Sequence, residues 1–359
     1  MEADSKLIIA IDPGATSTKF ALYAESEPLL ARNIRHSQEM MQAFKGKPLI
    51  EQCEFRSEAI RAGLETESFR VAEFAAAVGR GGLLRPLASG TYRVTQKMLD
   101  DLRAAPRGEH AANLGAFLAQ EIGNEANAPA FVVDPVSVDE WPPRARLSGS
   151  AQLPRQCLSH ALNTKAVAKR FAREQQRDYQ GLRLIVAHLG SGVSVSAHEN
   201  GRMIDVNNSR EEGPFSASRA GSVPAMMLVD LCFSGKRTRK EVETLLFREG
   251  GLYSYLGTDD LAKVEDCIAT GNEKAALVWE AMVYQIAKEI GAMAAVLQGR
   301  VDAVLITGGM AHSPRLVKAL RDFVEWIASV YIYPGEDELQ ALAEGALRVL
   351  RGDEIPLEY

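Results

Sequence analysis

The sequence predicts an α/β protein of two duplicated domains, and three observations carry that expectation. The first is length: 359 residues are long for one hydrophobic core. The second is the mixture of short apolar strand-like runs with amphipathic helical patches along the chain. The third is a unit that occurs twice. Leu7–Ile11 runs into Asp12-Pro13-Gly14-Ala15-Thr16-Ser17-Thr18-Lys19, and Phe20–Tyr23 resumes the apolar run. Leu182–Leu189 runs into Gly190-Ser191-Gly192, and Val193–Ala197 follows as an alternating VSVSA. Each unit reads as two antiparallel strands joined by a Gly/Ser/Thr turn, with a further strand after it. The repetition suggests duplicated domains presenting phosphate-binding turns to each other across a cleft. The expected boundaries are 1–155 and 156–339, with a last helix over 340–359 packing back on the first domain.

The elements follow in order. After the first hairpin, Leu29–His36 reads as a third strand, and Gln38–Phe44 and Phe55–Leu64 as helical patches. Phe74–Val78 reads as a buried strand leaving through Gly79-Arg80-Gly81-Gly82, where a ligand can approach backbone. Gln96–Ala104 and Ala111–Ile122 read as helices. Phe131–Val133 is a short strand ending in Asp134-Pro135, and a carboxylate at a strand's C-terminal end is a common catalytic placement. The stretch Glu140–Pro154 is taken as a domain connection, and Gln156–Gln176 as a helix with His160 near its start. Arg202–Val206 is a strand. Asn207–Gly221 is too polar for core and carries Arg219 as its main cation. Val223–Phe233 and Arg239–Arg248 read as helices, Gly250–Asp260 as a loop, and Leu261–Ile268 and Glu273–Leu297 as helices. Val304–Ile306 is a buried strand with a Gly308-Gly309 exit. A helix over Leu316–Trp326 is capped by Ser313-Pro314. Val330–Tyr333 is a strand, and the acidic run Glu336-Asp337-Glu338 precedes a final helix, Leu339–Leu350.

The chemistry concentrates in the two turns. Gly14, Thr16, Ser17 and Lys19 offer backbone N–H groups, hydroxyls and an ammonium at one point, which is what a polyphosphate needs. GxxxxGK[ST] is absent, so this is not a Walker loop. Alone, such a turn is more often a polar hairpin without a ligand, a lone Arg80 more often a surface ion pair, and a lone His160 a half-exposed side chain. Asp134 alone is as readily a turn cap as a functional carboxylate.

Composition excludes several classes. At 46% hydrophobic and 25% charged the chain reads as an ordinary globular protein. A net charge of −6, without an aromatic-interleaved Lys/Arg stripe, argues against nucleic acid. The N-terminal MEADSKLIIAID does not read as a signal peptide, and no apolar run approaches the length of a membrane span. The four cysteines lack a CxxC pair, which argues against a zinc site and fits a reducing cytoplasm.

Taken together, DPGATSTK, VGRGGLL, DP, SHALN, HLGSGVSV, FSASRAG, ITGG and PGEDE form a collinear series. It resembles the butyrate kinases of the acetate-kinase family, within the superfamily of sugar kinases, actin and heat-shock chaperone nucleotide-binding domains. VGRGGLLRP, GTYRV, HALNTKAVAKR, MIDVNN, EGPFS and LCFSGK add to the likeness, which runs from Ile8 to about Arg351.

The resemblance implies two ribonuclease-H-like domains with ATP in the interdomain cleft. It implies the reaction ATP + carboxylate ⇌ ADP + acyl phosphate with Mg²⁺, and a homodimer or higher homo-oligomer. Such a substrate is already an anion at neutral pH, by analogy with Asp and Glu side chains at pKa ~4, and needs no strong base. Bringing two anions together calls for cations and N–H donors. By the resemblance, Arg80 and Arg219 act at the carboxylate and the transferring phosphoryl group. His160 and His188 line the site, with His188 at the phosphoryl group. Asp134 orients substrate or Mg²⁺-bound water. Asp12, Gly14, Thr16, Ser17 and Lys19 form one phosphate loop, and His188, Gly190, Ser191 and Gly192 the other. Gly308, Gly309 and Met310 fall on the adenosine loop, with Gly257, Thr258 and Asp259 nearby. The metal would meet Asp12, Asp134 and the acidic run, where Glu338 is the choice. Gly81, Gly82, Ser159 and Pro214 would line the acyl pocket. Small residues at Gly82 and Ser159, where acetate kinases carry bulky ones, point to a C4 or branched acyl chain.

Three positions depart from the family pattern: Asp12 stands where Asn is usual, Ala15 where Ser is common, and Ser191 where butyrate kinases usually have Gly. Two alternatives stay open, an acetate, propionate or other small-carboxylate kinase, and a nucleotide-binding sensor impaired in catalysis.

Overall fold

The computed structural model describes residues Lys6–Tyr359 and divides into two units. One comprises Met1–Asp139, Ala161–Asn163 and Asp337–Tyr359; the other comprises Glu140–His160 and Thr164–Glu336.

In the first unit the opening hairpin forms as the periodicity requires. β1 (Leu7–Pro13) pairs antiparallel with β2 (Ser17–Ala24), and β2 with β3 (Glu27–Arg35). Two helices follow, α1 (Gln38–Gln42) and α2 (Cys53–Thr66). β4 (Phe74–Arg80) lies parallel to β1. Then come β5 (Thr91–Arg93), α3 (Gln96–Ala104), α4 (Asn113–Ala126) and β6 (Ala130–Val133), with β6 parallel to β4 and β5 antiparallel to β6. The sheet order is β3-β2-β1-β4-β6-β5. β1 is buried on both faces, which is why it reads as an unbroken apolar run. Gly79 on β4 and Gly115 on α4 let strand and helix meet backbone to backbone. A Cβ on Gly79 would lie 2.0 Å from the Gly115 carbonyl oxygen, and one on Gly115 2.2 Å from that of Arg80.

The second unit repeats the plan. It contains α5 (Ala161–Glu174), whose first three residues belong to the first unit. β7 (Arg183–Leu189), β8 (Val193–Glu199) and β9 (Arg202–Val206) form an antiparallel meander. A helical stretch follows: α6 (Ala225–Phe233), α7 (Arg239–Phe247), α8 (Gly251–Leu256), α9 (Leu261–Ala269) and α10 (Glu273–Val296). β10 (Ala303–Gly308) pairs parallel with β7. After α11 (Pro314–Val324), β11 (Val330–Pro334) pairs parallel with β10. The order β11-β10-β7-β8-β9 matches β6-β4-β1-β2-β3 of the first unit strand for strand, the duplication expected from the repeated unit. The chain then returns to the first unit as α12 (Glu338–Arg351), where Gly345 packs so closely that a Cβ on it would lie 2.5 Å from a Val133 methyl.

Three expectations need correction. Gly250–Asp260 is not all loop, because Gly251–Leu256 forms α8. Tertiary contacts pin this short helix: Leu252 is fully buried, and the Leu252 and Tyr253 N–H groups donate to the Ser216 and Ala217 carbonyls. The helix expected from Gln156 begins at Ala161, so His160 stands at its N-cap position. β5 is not expected from the sequence. Three residues carry too little periodicity to show, and this strand is held by pairing with β6 and by Arg93 N–H donating to the Leu357 carbonyl.

Among the described residues no helix is long and apolar enough to cross a membrane.

Candidate functional site

Each unit gathers polar groups at the ends of its central strands. In the first unit, β1 delivers Asp12 and β4 delivers Arg80. Asp12 is buried and sits opposite Lys19 in the hairpin register, with Lys19 Nζ 3.9 Å from its carboxylate. Arg80 Nη1 donates to Asp12 Oδ1 at 3.2 Å and to Glu338 Oε2 at 2.7 Å. Arg80 is therefore not a surface ion pair but the shared cation of two buried carboxylates. Glu338 reaches it from the first turn of α12.

The loop between β1 and β2 is closed by Gly14 N–H donating to the Ser17 carbonyl at 2.8 Å. Its tip, Ala15 and Thr16, is exposed. Asp134, just past β6, has φ of +38°, a left-handed conformation that Asp tolerates better than most residues. Its Oδ1 accepts from Ser89 Oγ at 2.5 Å and Gly90 N–H at 2.8 Å. This carboxylate clasps the Ser89–Gly90 turn.

Magnesium is held through one or two carboxylates, with water and substrate phosphates completing its shell. Asp12 and Glu338 suit that donor set, since both already converge on one cationic nitrogen. Among the described residues no group of three or more His, Cys, Asp or Glu that could hold a metal comes together. Of the expected Asp12, Asp134 and Glu338, the first and last share Arg80, and Asp134 is bound instead to Ser89 and Gly90.

The glycines expected to widen an acyl pocket do something else. A Cβ on Gly82 would lie 2.2 Å from Asn113 Oδ1 and 2.6 Å from its Cα, and one on Gly81 would lie 2.3 Å from Pro135 Cβ. Their smallness serves close packing of this segment, so the inference of pocket width from Gly82 is withdrawn.

In the second unit, β7 carries His188, fully buried, with Nε2 3.1 Å from Glu336 Oε1. The His160 ring stacks on it, with centroids 3.9 Å apart and planes 10° apart. His160 Nδ1 is hydrogen-bonded to Ser194 Oγ on β8 at 2.9 Å. The second loop closes through Gly190 N–H donating to the Gly192 carbonyl, and the Ser191 carbonyl accepts from Ser216 Oγ. Arg219 lies directly over Gly192: a Cβ there would be 2.5 Å from Nη1 and 2.7 Å from Cζ. Its Nη1 donates to the Ser209 carbonyl and Oγ at 3.1 and 3.0 Å. Burial first, and Arg210 second, lower the Arg219 guanidinium pKa. A loop whose glycine is covered by a guanidinium can present an anion with N–H groups and a planar fork together.

The remaining predicted residues sort less uniformly. Gly308 has φ of +92°, and a Cβ would lie 2.4 Å from the Leu189 carbonyl oxygen; Gly309 faces open space. Met310 is 8% exposed and belongs to the hydrophobic core, so its side chain is not offered to a nucleotide. Gly257, Thr258 and Asp259 form the turn between α8 and α9, with Thr258 Oγ1 accepting from Asp260 N–H. Pro214 is buried against Gly221, and Ser159 directs its hydroxyl at Met203 Sδ, 3.7 Å away. Sequence reasoning missed Glu336 as the partner of His188 and Ser194 as that of His160. Alternation along β8, with Ser194, Ser196 and His198 at every second position, was the available signal for the latter.

His198 on this buried polar face is hydrogen-bonded to Tyr179 Oη and Ser196 Oγ. Burial, with Lys165 adding, pushes its imidazole down to about 3. The unfolded chain takes up a proton below its ordinary value near 6.5, and the folded chain does not. Stability from this group is complete above pH ~6.5 and is lost as pH falls toward 3, by up to about 1.4 kcal/mol per unit. Urea unfolding at pH 7, 6 and 5 is expected to show this decline. His198→Gln, which keeps a donor and an acceptor, should flatten it by one proton's worth; an unchanged slope would contradict the assignment.

A family model described as the Acetokinase family matches residues 153–338, just over half of the chain. Among solved structures, an acetate kinase from Porphyromonas gingivalis is 18% identical, with TM-score 0.76 over 96% of this chain and 100% of that one. A propionate kinase from Francisella tularensis is 17% identical, with TM-score 0.74 over 94% and 98%. An acetate kinase from Entamoeba histolytica is 16% identical, with TM-score 0.75 over 95% and 98%. At these identities the likeness to solved structures concerns the fold.

Proposed function

The chain belongs to the acetokinase family, and from that premise we propose that it transfers the γ-phosphoryl group of ATP to a short-chain carboxylate. The products are ADP and an acyl phosphate, and the reaction runs in either direction. A carboxylate oxygen forms the new P–O bond while the bond from the γ-phosphorus to the bridging oxygen breaks in line, and ADP carries away the electron pair. No proton need move, because the nucleophile is already ionised at neutral pH.

The observation that carries this reading is an arginine placed near the end of the first strand in each unit. Arg80 meets Asp12, and Arg219 covers Gly192. Two guanidiniums can grip carboxylate and phosphoryl oxygens bidentately and neutralise the repulsion between two anions. His188, held by Glu336 and stacked on His160, would face the transferring group. Gly190–Gly192 and the loop Gly14–Ser17 with Lys19 would receive the phosphates, and Gly308–Gly309 the adenosine. Asp12 and Glu338 would meet Mg²⁺, which supplies charge neutralisation on the phosphates, and Asp134 would orient water or substrate. The resemblance also supports a homo-oligomer working in the cytoplasm.

For the acyl group we propose butyrate or a branched C4–C5 acid. The support is the butyrate-kinase wording of the motifs and the small Ser159 beside His160. Gly82, packed against Asn113, adds no support. Two extra methylenes at about 0.8 kcal/mol each correspond to roughly 10-fold in kcat/KM for butyrate over acetate. A hydroxamate assay with acetate, propionate, butyrate and isobutyrate measures this. Clear acetate preference would reassign the protein to the acetate or propionate alternative, and ADP binding without any acyl phosphate would favour the sensor.

A further inference from the structure

Behind the first loop lies a charge with no part in the proposed transfer. Arg56, on α2, is fully buried. Its Nη1 donates to the Ser17 carbonyl at 2.7 Å and Thr18 Oγ1 at 3.0 Å. Its Nη2 donates to the Ala15 carbonyl at 3.3 Å and Gln52 Oε1 at 2.9 Å, and Nε donates to Gln52 Oε1 at 3.2 Å. A guanidinium has five N–H donors, and these bonds occupy all of them. Every acceptor is neutral, and among the described residues no ion pair joins Arg56 to a carboxylate. Buried charges in proteins are ordinarily paired.

The surroundings leave that charge standing. Thr18 Oγ1 is also hydrogen-bonded to His36 Nε2 at 2.8 Å. Burial, with Arg56 adding, lowers the His36 pKa and favours the neutral ring. The His36 backbone N–H donates to the Thr16 carbonyl at 2.9 Å. The carbonyls of Ala15, Thr16 and Ser17 are therefore all tied down, two by Arg56 and one by His36. Across planar trans peptides, the N–H groups of Thr16 and Ser17 point opposite to the carbonyls of Ala15 and Thr16.

We propose that Arg56 is the positioning residue of the first loop. It holds the loop carbonyls inward and supplies the uncompensated positive charge that draws a polyphosphate to Ala15–Ser17. It acts through the loop and is not itself placed against substrate. This rests on reading Gly14–Lys19 as a phosphate loop.

The test compares wild type, Arg56→Lys and Arg56→Met by calorimetric binding of ADP and of adenosine, together with amide hydrogen exchange over Gly14–Thr18. Arg56→Met is expected to bind ADP about 10- to 100-fold more weakly, the range for groups that orient a ligand through a neighbour. Adenosine binding should be unchanged, and loop exchange faster. Arg56→Lys keeps the charge and loses the fork, so it should recover ADP affinity while its loop still exchanges fast. A folded Arg56→Met with wild-type ADP affinity and wild-type exchange overturns the proposal. If that variant does not fold, wild-type loop exchange in Arg56→Lys overturns it. Wild-type protein that binds adenosine no more weakly than ADP overturns the phosphate-loop reading as well; wild type that prefers ADP beside unaffected variants overturns this inference alone.

Discussion

Arg80→Ala is expected to lose more than about 1,000-fold in turnover and about 3–5 kcal/mol of stability. The two losses have different causes. Turnover falls because, in the proposed reaction, the Arg80 fork that would hold anionic oxygens is gone. Stability falls because Asp12 and Glu338, both buried, lose the cation they share. Urea unfolding and hydroxamate formation measure the two separately. An Arg80→Ala protein as stable as wild type would mean that the two carboxylates are not held by Arg80 in solution. Asp12→Asn is the milder companion. Arg80 keeps Glu338, so stability should change little, while turnover drops about 10- to 100-fold, as for ligand-orienting groups. Activity retained or raised would mean that Asp12 merely stands in for the Asn usual at this position and carries no charge-dependent role.

Gly192→Ala is expected to separate activity from folding. The added methyl would fall 2.5–3.0 Å from Nη1, Cζ and Nε of Arg219. A guanidinium sits at the end of a flexible side chain, so it would swing away rather than strain the backbone. Its bonds to Ser209 would go with it. The expected result is a turnover loss of about 10- to 100-fold, with a melting temperature within about 2 °C of wild type. Gly308→Ala gives the contrast. There the backbone is left-handed and the methyl would meet the Leu189 carbonyl oxygen at 2.4 Å, so stability itself should fall by at least about 1–3 kcal/mol. A stable, fully active Gly192→Ala enzyme would exclude Arg219 from the chemistry proposed for it.

The strands were legible because burial on both faces leaves a continuous apolar run, as in Leu7–Ile11 and Leu182–Leu189, and because a Gly/Ser turn must punctuate it. α11, with Ser313-Pro314 at its start, is legible for a local reason too. α8 was not, since two glycines and a short length hide a helix that the Ser216 and Ala217 carbonyls hold in place. Within the acidic run, Glu336 goes to His188 and Glu338 to Arg80, a choice between neighbours that local spacing does not make.

By itself, the sequence determined the α/β class, the duplication and the residue types gathered at the two turns, because periodicity and turn chemistry are properties of adjacent residues. The tertiary structure alone decided what each of those residues touches. Gly82 is small for Asn113 rather than for a ligand, Met310 belongs to the core, and Arg56, unremarkable on a helix, stands behind the first loop. Those assignments depend on which backbone comes within a few ångströms across tens or hundreds of residues, and no local pattern encodes that distance.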